Sequence, residues 1–328
     1  MSAVQTVAVT EDEAELRLDR WFHRRFPQIS HGRLEKLLRT GQLRVDGKRA
    51  KAGQRLEPGQ MVRVPPLPDD AAPATERGPV SPADAKILRD AVLFMDDDVI
   101  VLNKPPGLPV QGGTGITRHL DGMLDALQFD MPERPKLVHR LDKDTSGVLL
   151  LGRTTRSTAQ LTAAFRTRAA RKCYWALVVG VPKVPMGRID APLAKQAGES
   201  TRERMQVDED EGRHAITWYR IVASAYKKAA WLEMEPRTGR THQLRAHAVL
   251  LGTPIQGDSL YGGDVEMLSG GGISRKLHLH ARAIKLPHPR KGVIEIEAPL
   301  PGHMITSFEF FDFSPDAAGP AFTAFDEE

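Results

Sequence analysis

The sequence predicts an α+β protein of two domains, a small basic unit followed by a larger domain built on a mixed sheet. Three observations lead there. The chain has 328 residues, too many for one small module. Residues 65–82 contain six prolines and no apolar periodicity, the signature of a linker. Beyond them strand and helix patterns follow one another without the regular βαβ order of a doubly wound sheet. Composition agrees, since 41% hydrophobic and 27% charged residues describe a globular chain and exclude a disordered or fibrous one.

Taken in order, residues 16–64 carry two short helical patterns and then strands around Leu43-Arg44-Val45 and Met61-Val62-Arg63-Val64. Asp46-Gly47 and Pro58-Gly59 supply the turns. The linker is expected over 65–84 and the larger domain over 85–313, a span of about 230 residues. Within it, residues 99–103, 147–152, 174–180, 215–221, 230–235 and 293–297 read as strands, and 155–166 and 241–251 as helices. A flexible tail is expected over 314–328.

Net charge is +4, but it is unevenly placed. Residues 16–63 hold 13 Lys or Arg against 4 Asp or Glu, a local +9 that leaves −5 for the rest. So concentrated an excess is a candidate footprint for a polyanion. A second basic stretch, 153–172, has six cations and no acid; it reads equally as a solvated helix face with Leu161 and Phe165 turned inward. No apolar run approaches the ~18 residues that cross a bilayer. The first residues carry Glu11, Asp12, Glu13 and Glu15 in place of a secretory signal, and the single Cys173 can form no internal disulfide. The expected location is therefore the cytoplasm.

No phosphate loop or dinucleotide fingerprint is present, so no nucleotide cofactor is expected. The pairs His278/His280 and His242/His247 have no third ligand at metal spacing and read as structural; no metal is expected. The densest polar run is Val138-His139-Arg140-Leu141-Asp142-Lys143-Asp144-Thr145-Ser146-Gly147, which enters the apolar strand Val148 to Leu151. Charged groups there sit at the rim of a core, where a carboxylate is partly desolvated yet reaches a ligand; the alternative is a loop in which Asp142 or Asp144 caps a turn and Arg140 pairs with one of them. In Pro236 to His247, Thr241 is the expected N-cap of a helix with Leu244, Ala248 and Leu251 inward. Arg245 is then able to point across at a buried carboxylate and keep it ionised at neutral pH; the alternative is a structural salt bridge or a phosphate contact. Tyr174, in the strand Arg171 to Val179, is placed for stacking on a base or for the core.

These residues together resemble the RluA family of pseudouridine synthases. The run His139-Arg140-Leu141-Asp142-x-x-Thr145-Ser146-Gly147 is similar to its signature. So, in the same order, are Asp96 to Gly107, Lys172-x-Tyr174-x-Ala176, Gly239-Arg240-Thr241-His242-Gln243-Leu244-Arg245-x-His247, Gly257-Asp258-x-Leu260-Tyr261-Gly262, Leu279-His280-Ala281 and His288-Pro289. Val110-Gln111-Gly112-Gly113-x-Gly115 resembles the RluC-like branch, and residues 16–64 resemble an S4-type RNA-binding domain. The resemblance implies a mixed, largely antiparallel catalytic sheet, a cofactor-free isomerisation of uridine in RNA, and ribosomal RNA of the large subunit as substrate. It assigns the essential carboxylate to Asp142, its pairing cation to Arg245, base stacking to Tyr174, and occupation of the gap left by a flipped nucleotide to Arg140. Asp142 either captures the anomeric carbon or removes the ribose 2′ proton. The competing expectations are a non-catalytic RNA-binding or ribosome-assembly factor, a synthase directed at transfer RNA, and a sugar hydrolase. A monomer is the default.

Overall fold

The computed structural model describes residues 4–29, 31–67, 79–113, 115–196 and 204–325. The chain divides into two units, residues 1–79 and 80–328. Most of the expected linker, residues 68–78, lies outside the described residues.

In the first unit, β1 (Gln5–Ala8) is followed by α1 (Leu18–Arg25) and α2 (His31–Arg39), then β2 (Arg44–Val45), β3 (Lys48–Arg49) and β4 (Met61–Val64). The strands form an antiparallel sheet in the order β1-β4-β2-β3. Leu18, Trp21 and Phe22 recur at helical spacing and are buried with Leu34, Leu37, Val62 and Val64 in one core. Strand β1 lies ahead of the boundary expected at residue 16. The apolar core leaves the cations outside: Arg20, Lys36, Arg39, Lys48 and Lys51 are exposed and have no ion pair among the described residues.

The second unit begins with α3 (Pro82–Asp90), capped by the Ser81 hydroxyl, which accepts from the Asp84 amide at 3.1 Å. This moves the start of the domain ahead of the expected residue 85. There follow β5 (Val92–Met95), β6 (Val99–Lys104), α4 (Leu120–Met123), β7 (Lys136–Leu137), β8 (Ser146–Gly152), α5 (Thr155–Arg166), β9 (Arg171–Val179), β10 (Met186–Asp190), β11 (Leu193–Lys195) and β12 (Met205–Val207). The chain continues through β13 (Ile216–Ala225), β14 (Ala229–Pro236), α6 (Gln243–Leu250), β15 (Leu279–Pro287), β16 (Val293–Glu297) and α7 (Gly302–Phe310). Apart from the β11–β12 hairpin, the strands join one sheet in the order β10-β13-β14-β9-β15-β8-β6-β5, with β16 on β15 and β7 on β8. Among the described residues every pairing is antiparallel but one, β15 beside β8.

Strand β8 is buried along its whole length because both faces are covered. Val148 and Leu150 pack with Leu161 and Ala164 of α5, while Leu149 and Leu151 pack with Leu120 of α4. At the parallel junction, Ser146 donates to or accepts from His280 Nδ1 at 2.9 Å, and Ala281 presses on Gly147. A methyl group on Gly147 would stand 2.2 Å from the Ala281 carbonyl oxygen, and the backbone there has φ +107°. Gly147→Ala is therefore expected to cost roughly 3 kcal/mol or more, visible as a fall of several degrees in thermal unfolding.

The expected loose tail is corrected. Residues 314–325 pack onto the sheet, with Phe322 and Phe325 buried. Arg220 donates to the Ala318 carbonyl, Arg171 to that of Phe322 at 3.1 Å, and Arg237 to that of Phe325 at 3.1 Å. These three arginines also neutralise Glu233 and Glu235, which are buried on β14.

Candidate active site

The loop that precedes β8 is fastened before it reaches the strand. His139 stacks on Phe165 of α5 with ring centroids 4.4 Å apart, and its Nε2 accepts the Leu150 amide at 2.9 Å. Burial, aided by the charge of Lys172, pushes His139 down to about 3, so the ring is neutral and acts as an acceptor. On the far side of Asp142, the Lys143 carbonyl accepts from the Gly107 amide at 2.9 Å and from Lys104 Nζ at 3.0 Å. Lys104 is fully buried and spends its other two protons on the carbonyls of Pro105 and Leu108. Burial drives its pKa down to about 7 against the pull of Asp144 and Asp142.

Helix α6 is positioned from its first residue. Gln243 accepts from the Thr238 hydroxyl and the Arg240 amide, and donates to the Ile216 carbonyl and Thr217 hydroxyl. His247 is hydrogen-bonded to Thr217 and Ala191. The N-cap is His242, not Thr241, and it makes no side-chain cap; its backbone is left-handed, φ 51° and ψ 19°. The stripe of Leu244 and Ala248 does face the core, with Leu251 partly buried against it.

Asp142, Arg140, Tyr174 and Arg245 all line one cavity of about 720 Å³, so the four residues singled out from sequence are brought together. Asp142 is 31% exposed and is the only carboxylate in the lining among the described residues; Arg140, Arg166, Arg168, Lys172, Arg237, Arg240 and Arg245 share that lining. Burial lowers Lys172 to about 8, opposed by Glu235. Tyr174 is partly buried among apolar neighbours, and burial first, then the Asp142 charge, raises its phenol well above the ordinary value. Arg140 is exposed at the cavity surface, without an ion pair among the described residues. Asp144 is exposed and is not part of the lining.

The expected Arg245–Asp142 pair is looser than anticipated. Arg245 Nη1 is 3.9 Å from Asp142 Oδ2, whereas Nε and Nη2 each lie 2.7 Å from the carboxylate of Asp258. Asp258 has a wholly buried side chain and also accepts the amides of Leu260 and Tyr261. Burial disfavours the Arg245 charge, but the hydrogen bonds and charge of Asp258 outweigh it and raise the arginine. Sequence reasoning gave no role to Asp258, Lys104 or Tyr261; an Asp after the Gly257 turn and a Lys closing an apolar strand were the available signals. Asp96, Asp98 and His288 are the one group with metal-ligand geometry among the described residues. Asp96 already accepts the Asp98 and Val99 amides and pairs with His288 at 2.8 Å, and Oδ2 of Asp98 lies 2.5 Å from Arg290.

A family model described as RNA pseudouridylate synthase matches residues 98–249, and an S4 domain model matches residues 16–62. Ribosomal large subunit pseudouridine synthase C of Escherichia coli (strain K12) is 37% identical over 306 residues, 91% of this chain and 93% of that one. The chain belongs to the RNA pseudouridylate synthase family. RNA pseudouridine synthase 4, mitochondrial, of Arabidopsis thaliana is 33% identical over 94% of this chain and 82% of its own. The solved structure of human RNA pseudouridylate synthase domain containing 4 superposes with a TM-score of 0.59 at 30% identity, covering 70% of this chain and 95% of that one. The synthase therefore has the mixed, mostly antiparallel sheet of its relatives, preceded by an S4 domain. Among the described residues no helix is long and apolar enough to cross a membrane.

Proposed function

We propose that this synthase isomerises uridines of large-subunit ribosomal RNA to pseudouridine, with Asp142 as the catalytic carboxylate. One observation carries the assignment: among the described residues, a single carboxylate sits in a cavity lined by seven cations and a half-buried tyrosine. The cations hold phosphates, Tyr174 offers a face for the extruded base, and Arg140 at the rim fills the space it leaves. Extrusion costs a few kcal/mol, least in an unpaired loop, so RNA structure contributes to site choice. The glycosidic bond from N1 breaks, the uracil turns, and C5 bonds to the anomeric carbon; C5 then loses its proton and N1 gains one. The ionised Asp142 captures the cationic sugar or removes its 2′ proton. The large-subunit substrate is supported by the named activity of the Escherichia coli relative.

On this reading the synthase acts in the cytoplasm, as a monomer; its one cysteine, Cys173, is free and buried. Carbodiimide-directed primer extension on ribosomal RNA from cells lacking the protein tests the substrate. Missing pseudouridines in the large-subunit RNA are expected; losses confined to transfer RNA would move the assignment there. The S4 unit supplies sequence-independent affinity. Removing residues 1–79 is expected to weaken RNA binding and flatten its salt dependence, by about 0.7 to 0.9 in log–log slope for each phosphate the shortened chain no longer neutralises. Affinity measured from low to moderate salt gives that slope directly, and an unchanged slope assigns the unit to another partner.

A further inference from the structure

We propose that His242 is a positioning residue that holds Oδ2 of Asp142 through an Nε2–H, leaving Oδ1 as the reacting oxygen. The inference rests on Asp142 being the catalytic carboxylate. His242 Nε2 and Arg245 Nη1 both stand 3.9 Å from the same oxygen, Oδ2. Oδ1 has no hydrogen-bond partner among the described residues. Both donors lean on one phenol. Tyr261 lies under the Arg245 guanidinium at 4.9 Å and meets the His242 ring edge to face, with its hydroxyl 3.1 Å from Nδ1.

That hydroxyl sets the tautomer. It accepts the Met205 amide at 2.7 Å, so its own proton is available to Nδ1, and the imidazole proton then resides on Nε2, facing Asp142. Burial raises the Tyr261 phenol above its ordinary value, which keeps this proton in place at neutral pH. The left-handed backbone of His242, φ 51°, is a disfavoured conformation at the very residue that makes these contacts. Distances of this length shorten when substrate closes a site. With Oδ2 engaged by two donors, the lone pairs of Oδ1 are the ones presented to the anomeric carbon or the 2′ proton.

Steady-state kinetics on uridine RNA of His242→Ala, His242→Asn, His242→Gln and Tyr261→Phe test this. Ala and Asn are expected to lower kcat about 10- to 100-fold with KM unchanged. Gln, whose terminal amide nitrogen reaches the place of Nε2, is expected to recover most of kcat. Tyr261→Phe falls between. Asn tolerates left-handed backbone better than His, Ala or Gln, so thermal unfolding should rank Asn as the most stable of the three His242 variants although it is slow. A purely structural role reverses that order in kcat. Asn at wild-type kcat, or Gln as slow as Ala, overturns the inference. Full kcat in His242→Ala beside an inactive Asp142→Asn overturns it alone, whereas an active Asp142→Asn removes the assignment of Asp142 and this inference with it.

Discussion

Asp142→Asn should abolish tritium release from RNA labelled at uridine C5, with kcat lowered roughly 10⁴-fold or more. The substitution keeps shape and removes charge. Both routes open to the site need a carboxylate, one as a nucleophile toward the anomeric carbon and the other as a base toward the 2′ proton, and an amide performs neither. RNA affinity should be preserved or rise slightly, because the variant removes a negative group from a lining that holds seven cations. Filter binding and single-turnover kinetics on the same preparation separate the two effects. Turnover within tenfold of wild type would exclude Asp142 from the chemistry.

Asp258→Asn should be the more damaging change for stability. Asp258 accepts four donors, two from Arg245 and two backbone amides, and its side chain is fully buried. Losing its charge leaves the Arg245 guanidinium, itself only 11% exposed, with Asp142 as its nearest remaining carboxylate. Breaking a buried pair in this way costs about 3–5 kcal/mol. Thermal unfolding should fall by about 10 °C. The loss has a kinetic signature as well. A guanidinium freed from Asp258 moves onto Asp142, stabilises it in the ground state and lowers kcat by roughly tenfold even where the protein remains folded. A variant that unfolds at the wild-type temperature would show that Arg245 is held by other means.

The sequence was legible where structure is local. Helix α5 runs from Thr155 to Arg166 as its pattern requires, because Thr154 and Ser157 form a reciprocal cap and Leu161 and Ala164 share one buried face. That Asp142, Arg140, Tyr174 and Arg245 share one cavity was foreseeable because each lies in a motif whose order is visible along the chain. The misses share a different character. Strand β15 alternates His, Arg and Lys with apolar residues; its His280 is tolerated in the core through Ser146, 134 residues away, and no window on the sequence contains both. The segment from Pro315 to Phe325 is rich in turn formers and reads as a tail. It is docked by arginines of β9 and β13 and by Arg237, whose other partners are buried glutamates. Asp258 stood in a quoted motif without a role for the same reason, since its part appears only once α6 brings Arg245 alongside.

The parallel pairing of His280 with Ser146 also has a bearing on how the molecule is made. During translation, the loop bearing Asp142 emerges while its neighbour β15 does not yet exist. At roughly 5–20 residues per second the delay across 134 residues is on the order of ten seconds. Throughout that interval the nascent polypeptide has its cationic S4 module complete, while the beginning of β8 is paired with β6 and lacks its β15 neighbour. The setting of the Asp142 loop is therefore completed only once residues 279–287 have been made.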